Sequence, residues 1–234
     1  GISMKRLPRG LIVSCQAAEG EPLYGCDAMH WFARCAVEGG AVGIRALADE
    51  IPSIRQEVAV PIIGLTKRHA KDSDVYITPT KADVHRLIGL PCEAIAIDAT
   101  SRRRPNGETL EEVVAFAREK APDVALVADI DTYENAVRAQ RMGFDFISTT
   151  LRGYTEETKG KECPDIAFIK QLSGIVPDKL IVEGGIWESE QLESVLCFDP
   201  YAVVIGTSIT RPTSITARFN EVMRQTKKGA TRTA

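Results

Sequence analysis

Metal-ligand spacing, an excess of one charge and long apolar runs are all missing from this chain, and each absence removes a class of function. The six cysteines (Cys15, Cys26, Cys35, Cys92, Cys163 and Cys197) are scattered without a CxxC pair, so no metal site is expected, and several lie in apolar runs as reduced core thiols would. The 29 basic side chains nearly balance the 32 acidic ones, which excludes a broad nucleic-acid or membrane footprint but not a small anion held by a few placed cations. No stretch approaches the roughly 18 apolar residues of a membrane span, and no charged-then-apolar signal begins the chain. A cytoplasmic protein with no membrane contact is therefore expected. Gly1-Ile2-Ser3 ahead of Met4 looks like a cloning remnant, which leaves residues 4–234 as a single expected domain. No nucleotide fingerprint appears either, so the chemistry has to run on side chains, without a cofactor.

What is present is a repeat of short apolar runs, each followed by a segment of helical spacing or by a polar loop leading to one. The runs are 10–15, 41–45, 61–66, 94–98, 124–129, 144–149, 180–183 and 202–205. Between them lie helical patterns over 27–38, 51–58, 79–90, 109–120, 131–142, 164–172 and 188–196, with a last helix over 213–227 and a frayed tail. Lys67 to Thr78 and Leu151 to Cys163 form the long polar loops. Eight strands alternating with eight helices, with no Pro/Gly/Ser-rich linker, predict a (β/α)8 TIM barrel of the phosphate-binding type. An open doubly wound sheet is the competing architecture. Its edge strands would be half-exposed, whereas all eight runs here are almost continuously apolar, as strands buried on both faces are.

Barrel chemistry sits at the carboxyl ends of the strands, where the chain places Gln16, Arg45, Lys67, Asp98, Asp129, Thr149 and Glu183. Arg45, Asp98 and Asp129 could each equally serve in a structural ion pair closing the barrel. Lys67 and Glu183 differ, because strands three and seven face each other across a ring of eight. A lysine there, partly desolvated and close to Arg45, would lose proton affinity and could move protons opposite an acid. His69 lies in the third loop, where it could reach the mouth, while His30 and His85 fall within helices. Arg102, Arg103 and Arg104 form a charged loop of which one member can fold inward, Tyr154 suits a lid, and Trp31 and Trp187 suit packing.

The last two strands carry a different signal. Gly184 and Gly185 follow strand seven, and Gly206 and Thr207 follow strand eight, ahead of Thr210, Arg211 and Pro212. Loops at those two positions are the recurrent phosphate site of this architecture, with backbone N–H groups and the Arg211 guanidinium as anion partners. An ordinary glycine turn capped by Thr210 is the simpler account of the second loop. With several polar residues in the mouth, the expected ligand is a sugar phosphate. The expected reaction is proton abstraction beside a carbonyl.

The segments GLIVSCQ, VGIRA, VPIIGLTKR, YITPT, AIDATSRRRP, ADI, GFDFISTTLRGYT, IVEGGI and VVIGTSITRP, in that order, resemble the N-acetylmannosamine-6-phosphate 2-epimerase family of sialic acid catabolism. The resemblance covers nearly the whole chain after Leu7. It implies cofactor-free conversion of N-acetylmannosamine 6-phosphate into N-acetylglucosamine 6-phosphate, with Lys67 as acid/base and Glu183 as its partner. It implies also that Gln16, Arg45 and Asp129 hold the sugar and that Gly185, Gly206 and Arg211 hold the phosphate. The family pattern often has a larger or polar residue at Gly185, and the loop from Ala17 to Gly25 departs from it. Two further activities fit the residues: a Schiff-base aldolase on Lys67, and a non-catalytic sugar-phosphate sensor. The expected partners are the sugar phosphate and, at most, a second copy of the chain in a homodimer.

Overall fold

The computed structural model describes residues 7–233, with side chains through residue 227; Gly1-Ile2-Ser3, expected to be a remnant, lies outside them. Eight parallel strands close into a barrel in sequence order, β1 (Gly10–Cys15), β2 (Gly43–Leu47), β3 (Ile62–Leu65), β4 (Ala94–Asp98), β5 (Ala125–Asp129), β6 (Phe146–Ser148), β7 (Leu180–Glu183) and β8 (Ala202–Ile205). The helices are α1 (Met29–Glu38), α2 (Ile51–Glu57), α3 (Lys81–Ile88), α4 (Leu110–Lys120), α5 (Tyr133–Arg141), α6 (Ile166–Ser173), α7 (Ser189–Leu196), α8 (Thr207–Thr210) and α9 (Pro212–Thr233). None of the described helices is long and apolar enough to cross a membrane.

Strict alternation divides the apolar residues into two cores. Ile12, Ile63, Leu65, Ala94, Ala96, Ala125, Val127, Phe146, Ile181, Ala202 and Val204 fill the barrel interior. Val13, Ile44, Ile62, Ile95, Ile97, Leu126, Ile147, Leu180, Val182 and Val203 face the helices. Every strand is therefore apolar on both sides, which is why its sequence is nearly continuous in hydrophobic residues. The pairings Ser14↔Arg45, Asp98↔Asp129 and Asp129↔Ser148 put polar residues on the inward series just where the apolar filling stops. Gln16, Lys67 and Thr150 continue the inward series of β1, β3 and β6 beyond the last paired residues.

Threonines start three of the helices. Thr80, Thr109 and Thr132 each accept from the backbone N–H three residues on, and the first two complete capping boxes with Asp83 and Glu112. The helix expected from Pro79 therefore begins at Lys81, after its cap. β2 also differs from expectation: it runs Gly43–Leu47, not Ala41 to Arg45. Ala41 is used in closing back on α1, its N–H donating to the Ala36 carbonyl. The third loop is a small folded unit, with Lys67 and Ile77 in an antiparallel bridge and Val75 and Ile77 buried.

Two of the arginines after β4 turn inward. Arg104 is buried and donates to the carbonyls of Thr78, Pro79 and Asp98. Arg102 bonds the Asp98 carboxylate at 2.6 Å. Trp31, expected to pack, is 54% exposed beside His30. Of the cysteines only Cys15 is fully buried, while Cys26, Cys35 and Cys197 are exposed. The chain after β8 departs most. A one-turn helix, α8, separates the strand from α9, and α9 stays helical through Thr233 where a frayed tail was expected. Phe219, Val222 and Met223 on α9 are largely exposed.

The loops after β6 and β7 are interlocked at Gly185. Its φ is +75°, and a Cβ there would stand 2.1 Å from the Cys163 carbonyl oxygen. Gly184, at φ +109°, has open space around the corresponding position. Gly185→Ala is expected to lose about 2–4 kcal/mol of stability, from left-handed strain and a backbone collision together. Gly184→Ala should lose only the strain. Urea unfolding of both variants checks this, and equal losses would contradict it.

Candidate active site

The centre of the site is a buried ion pair. Arg45 is the third residue of β2, so it lies inside the barrel rather than at its rim, the position expected from the sequence. Its Nη1 and Nη2 donate to Asp129 Oδ1 and Oδ2 at 3.0 and 2.5 Å, a two-pronged pairing that matches the planar guanidinium to the carboxylate. Thr150 Oγ1 donates to Asp129 Oδ1 at 2.8 Å. Asp129 is fully buried, and its carboxylate is thus occupied by protein donors.

Glu183 ends β7 and stands on the remaining face of the guanidinium. Arg45 Nε lies 3.6 Å from Glu183 Oε1, too far for a hydrogen bond. Among the described residues, the buried side-chain polar atoms without a hydrogen-bond partner are Arg45 Nε, Glu183 Oε1 and Gln16 Oε1. Gln16 uses its amide Nε2 to donate to Ser14 Oγ at 2.9 Å. Buried polar groups are nearly always paired. Three orphans contributed by β2, β7 and the end of β1 mark where a polar ligand would complete the set.

Lys67 and Glu183 are displaced in opposite directions from their ordinary proton affinities. Crowding around the lysine head lowers its pKa, helped by Arg45 and Arg211 and opposed by the carboxylates of Glu183 and Asp129. Burial raises that of Glu183, helped by the Asp129 charge and opposed by Arg45 and Lys67. The two burials are not alike. Lys67 keeps an exposed surface along the mouth although its head is ringed by protein atoms, so water softens the effect until a ligand fills the mouth. Glu183 keeps only 18% of its side-chain surface. Arg45 stays cationic: burial works against its charge, and Asp129 and Glu183 more than offset it.

The loops after β7 and β8 meet beside this group. Ser208 Oγ donates to the Ile186 carbonyl at 2.9 Å and ties the two together. Gly206 lets the chain pass close to β1, since a Cβ there would stand 3.0 Å from Ser14 Cβ. Thr207 opens α8. Thr210 does not cap a helix as an ordinary turn would have it; its hydroxyl lies within hydrogen-bond distance of the Ser14 and Gly206 carbonyl oxygens. Arg211 is already engaged, its Nε donating to Glu21 Oε1 at 3.0 Å with a second contact from Nη2. That contact holds the Glu21 carboxyl below its ordinary proton affinity.

Lys67, Glu183, Arg45 and Asp129 thus form one electrostatic group, with Gln16 and Arg211 at its borders. Asp98, the register partner of Asp129, is engaged instead by Arg102 and by the hydroxyl and N–H of Thr100. His69 is exposed and stacks on Tyr76, and Tyr154 is 63% exposed over the sixth loop. Thr150 and Glu21 are the members that sequence reasoning missed. Inward parity from Phe146 and Ser148 could have found Thr150; no pattern in the sequence points to Glu21.

The charges around Lys67 give a signed expectation. Glu183 is one of the anions that hold its proton, so Glu183→Gln should lower the Lys67 pKa further below 10.5. NMR titration of reductively methylated protein, with the Lys67 signal identified in Lys67→Arg, measures it. A pKa that rises or stays fixed would contradict the arrangement.

Comparison with known proteins gives one family. Residues 29–225 match the family model described as "Putative N-acetylmannosamine-6-phosphate epimerase". A protein of that name from Staphylococcus carnosus is 49% identical over 216 residues, covering 91% of this chain and 96% of its own. One from Staphylococcus haemolyticus is 47% identical over 222 residues, covering 94% and 99%. The solved structure of the N-acetylmannosamine-6-phosphate 2-epimerase from Clostridium perfringens superimposes with a TM-score of 0.88 at 40% identity, covering 94% of this chain and 95% of that one. The chain belongs to the N-acetylmannosamine-6-phosphate epimerase family.

Proposed function

We propose that this chain interconverts N-acetylmannosamine 6-phosphate and N-acetylglucosamine 6-phosphate by removing the proton at C2 and returning it to the opposite face. The observation that carries this reading is the pairing of Lys67, with lowered proton affinity, against Glu183, with raised affinity, across unpartnered polar atoms of Arg45, Glu183 and Gln16. Moving two proton affinities toward each other in this way favours proton exchange between them.

In this scheme the ring-opened sugar presents its C1 aldehyde. Neutral Lys67 takes the C2 proton, and the electron pair of that C–H bond passes into an enolate. Glu183 or Lys67 then supplies a proton to C2, which completes a redox-neutral exchange. In this reading Arg45 Nε donates to a sugar oxygen and Gln16 Oε1 accepts from a sugar hydroxyl, with Asp129 contributing through Arg45. The phosphate would lie against Gly184, Gly185, Gly206 and Thr207, with Arg211 exchanging Glu21 for it. Names of the relatives and the strand-end geometry support this reading; epimerisation in sialic acid catabolism is its metabolic setting.

Incubating the protein with N-acetylmannosamine 6-phosphate in deuterated water, and following C2 by NMR, tests it. The expected result is N-acetylglucosamine 6-phosphate carrying solvent deuterium, with no turnover of the unphosphorylated sugar. Retention of the original hydrogen would overturn the two-base form, and a borohydride-trapped adduct on Lys67 would favour an aldolase. Lys67→Ala should lower kcat by about 10²–10⁴-fold. Arg211→Ala should act mainly on KM, and an effect confined to kcat would remove Arg211 from the phosphate site.

A further inference from the structure

Two threonines after β6 have no part in the proton transfer or the phosphate contacts set out above, yet both are spent on Glu183 and its neighbour Asp129. β6 has three residues, and its ladder with β7 comprises Ile147↔Leu180 and Ser148↔Ile181, so Glu183 lies beyond it. Thr149 takes over there. Its Oγ1 accepts from the Glu183 N–H at 3.0 Å and donates to the Glu183 carbonyl at 3.0 Å. A single buried hydroxyl thereby holds both main-chain polar groups of the residue.

Thr150 addresses the carboxyl groups. Its Oγ1 donates to Asp129 Oδ1 at 2.8 Å and lies 2.7 Å from Ser148 Oγ. Since a hydroxyl carries one proton, Ser148 is the donor in that second contact. The same Thr150 hydroxyl is near enough to Glu183 to favour its charged form. The charged and titratable groups facing Glu183 are Arg45 from β2, Lys67 after β3, Asp129 from β5 and Tyr154 from the sixth loop. Arg45 and Lys67 bring charge that the buried site has to neutralise and the Asp129 carboxylate brings acceptors, whereas a neutral hydroxyl can adjust to either protonation state of Glu183.

We propose that Thr149 and Thr150 are positioning residues for Glu183: Thr149 fixes its main chain at the barrel rim, and Thr150 fixes the Asp129 carboxylate beside it while turning a neutral hydroxyl dipole to the Glu183 side. Glu183 then keeps one orientation toward the mouth in both of its protonation states. The inference rests on the proton-transfer role proposed for Glu183, but its geometry can be tested without substrate.

The test is a carboxyl-carbon NMR titration of the full chain labelled at glutamate, with the Glu183 signal identified by its loss in Glu183→Gln. Thr150→Val should raise the Glu183 pKa by about half to one unit, because the carboxylate loses a neighbouring hydroxyl dipole, and Thr150→Ser should restore it. With N-acetylmannosamine 6-phosphate, Thr150→Val and Thr149→Val should each lower kcat about tenfold with KM within about twofold, and the serine variants should recover most of it. Thermal unfolding of each variant separates this from loss of fold. An unchanged titration in Thr150→Val, or a serine variant as displaced as the valine one, would overturn the inference. If the parent protein shows the titration behaviour yet does not turn over the sugar, the epimerase reading fails and the positioning by threonine stands.

Discussion

The pairing of Arg45 with Asp129 governs the upper half of the barrel. Ile63, Val127, Ile181 and Val204 fill the barrel interior with apolar side chains, so an arginine buried among them must be neutralised within the fold. Asp129 does this through two parallel hydrogen bonds. An isolated charge at the same depth would cost about 3–5 kcal/mol of stability. With its forked end committed, the guanidinium turns its unpartnered Nε–H toward Glu183, 3.6 Å away. One pair thus closes the apolar interior and begins the polar site.

Much else follows from the depth at which that pair sits. Glu183 is squeezed between burial and a cation it does not fully reach, which raises its proton affinity. Lys67 is near the same cation and loses affinity. The opposite displacements share one first cause, burial, which disfavours the charged form of each group; Arg45 adds to the effect on Lys67 and works against it on Glu183. Asp129 orders the arrangement without an oxygen free of protein donors: Arg45 and Thr150 occupy it.

The architecture was legible in the sequence because parallel strands buried on both faces cannot hide their composition. Runs such as 94–98 and 180–183 matched their strands residue for residue. β2 was misplaced by two residues, since Ala41 and Val42 are as apolar as the strand they lead into and only tertiary closure onto α1 separates them. That slip moved Arg45 from an expected rim position to the interior. The end of the chain was less legible. The short helix after Gly206 is set by contacts with β1 rather than by its own propensity, and α9 shows apolar residues at helical spacing without saying what they face. That Lys67 and Glu183 stand in one electrostatic group is legible from strand position and charge alone. Glu21 could not be, because its partner Arg211 is 190 residues away.

Alternation within the strands has a consequence for how such a site can change over time. Gln16, Lys67 and Thr150 lie beyond the last paired residues of β1, β3 and β6 yet remain in phase with them. Their direction is set by counting: a single residue gained or lost between strand and side chain would turn each one outward. The segments beyond them are free of that constraint. Descent can therefore rewrite the lips of this mouth freely in length, while the few peptide units behind them can vary in chemistry but not in number.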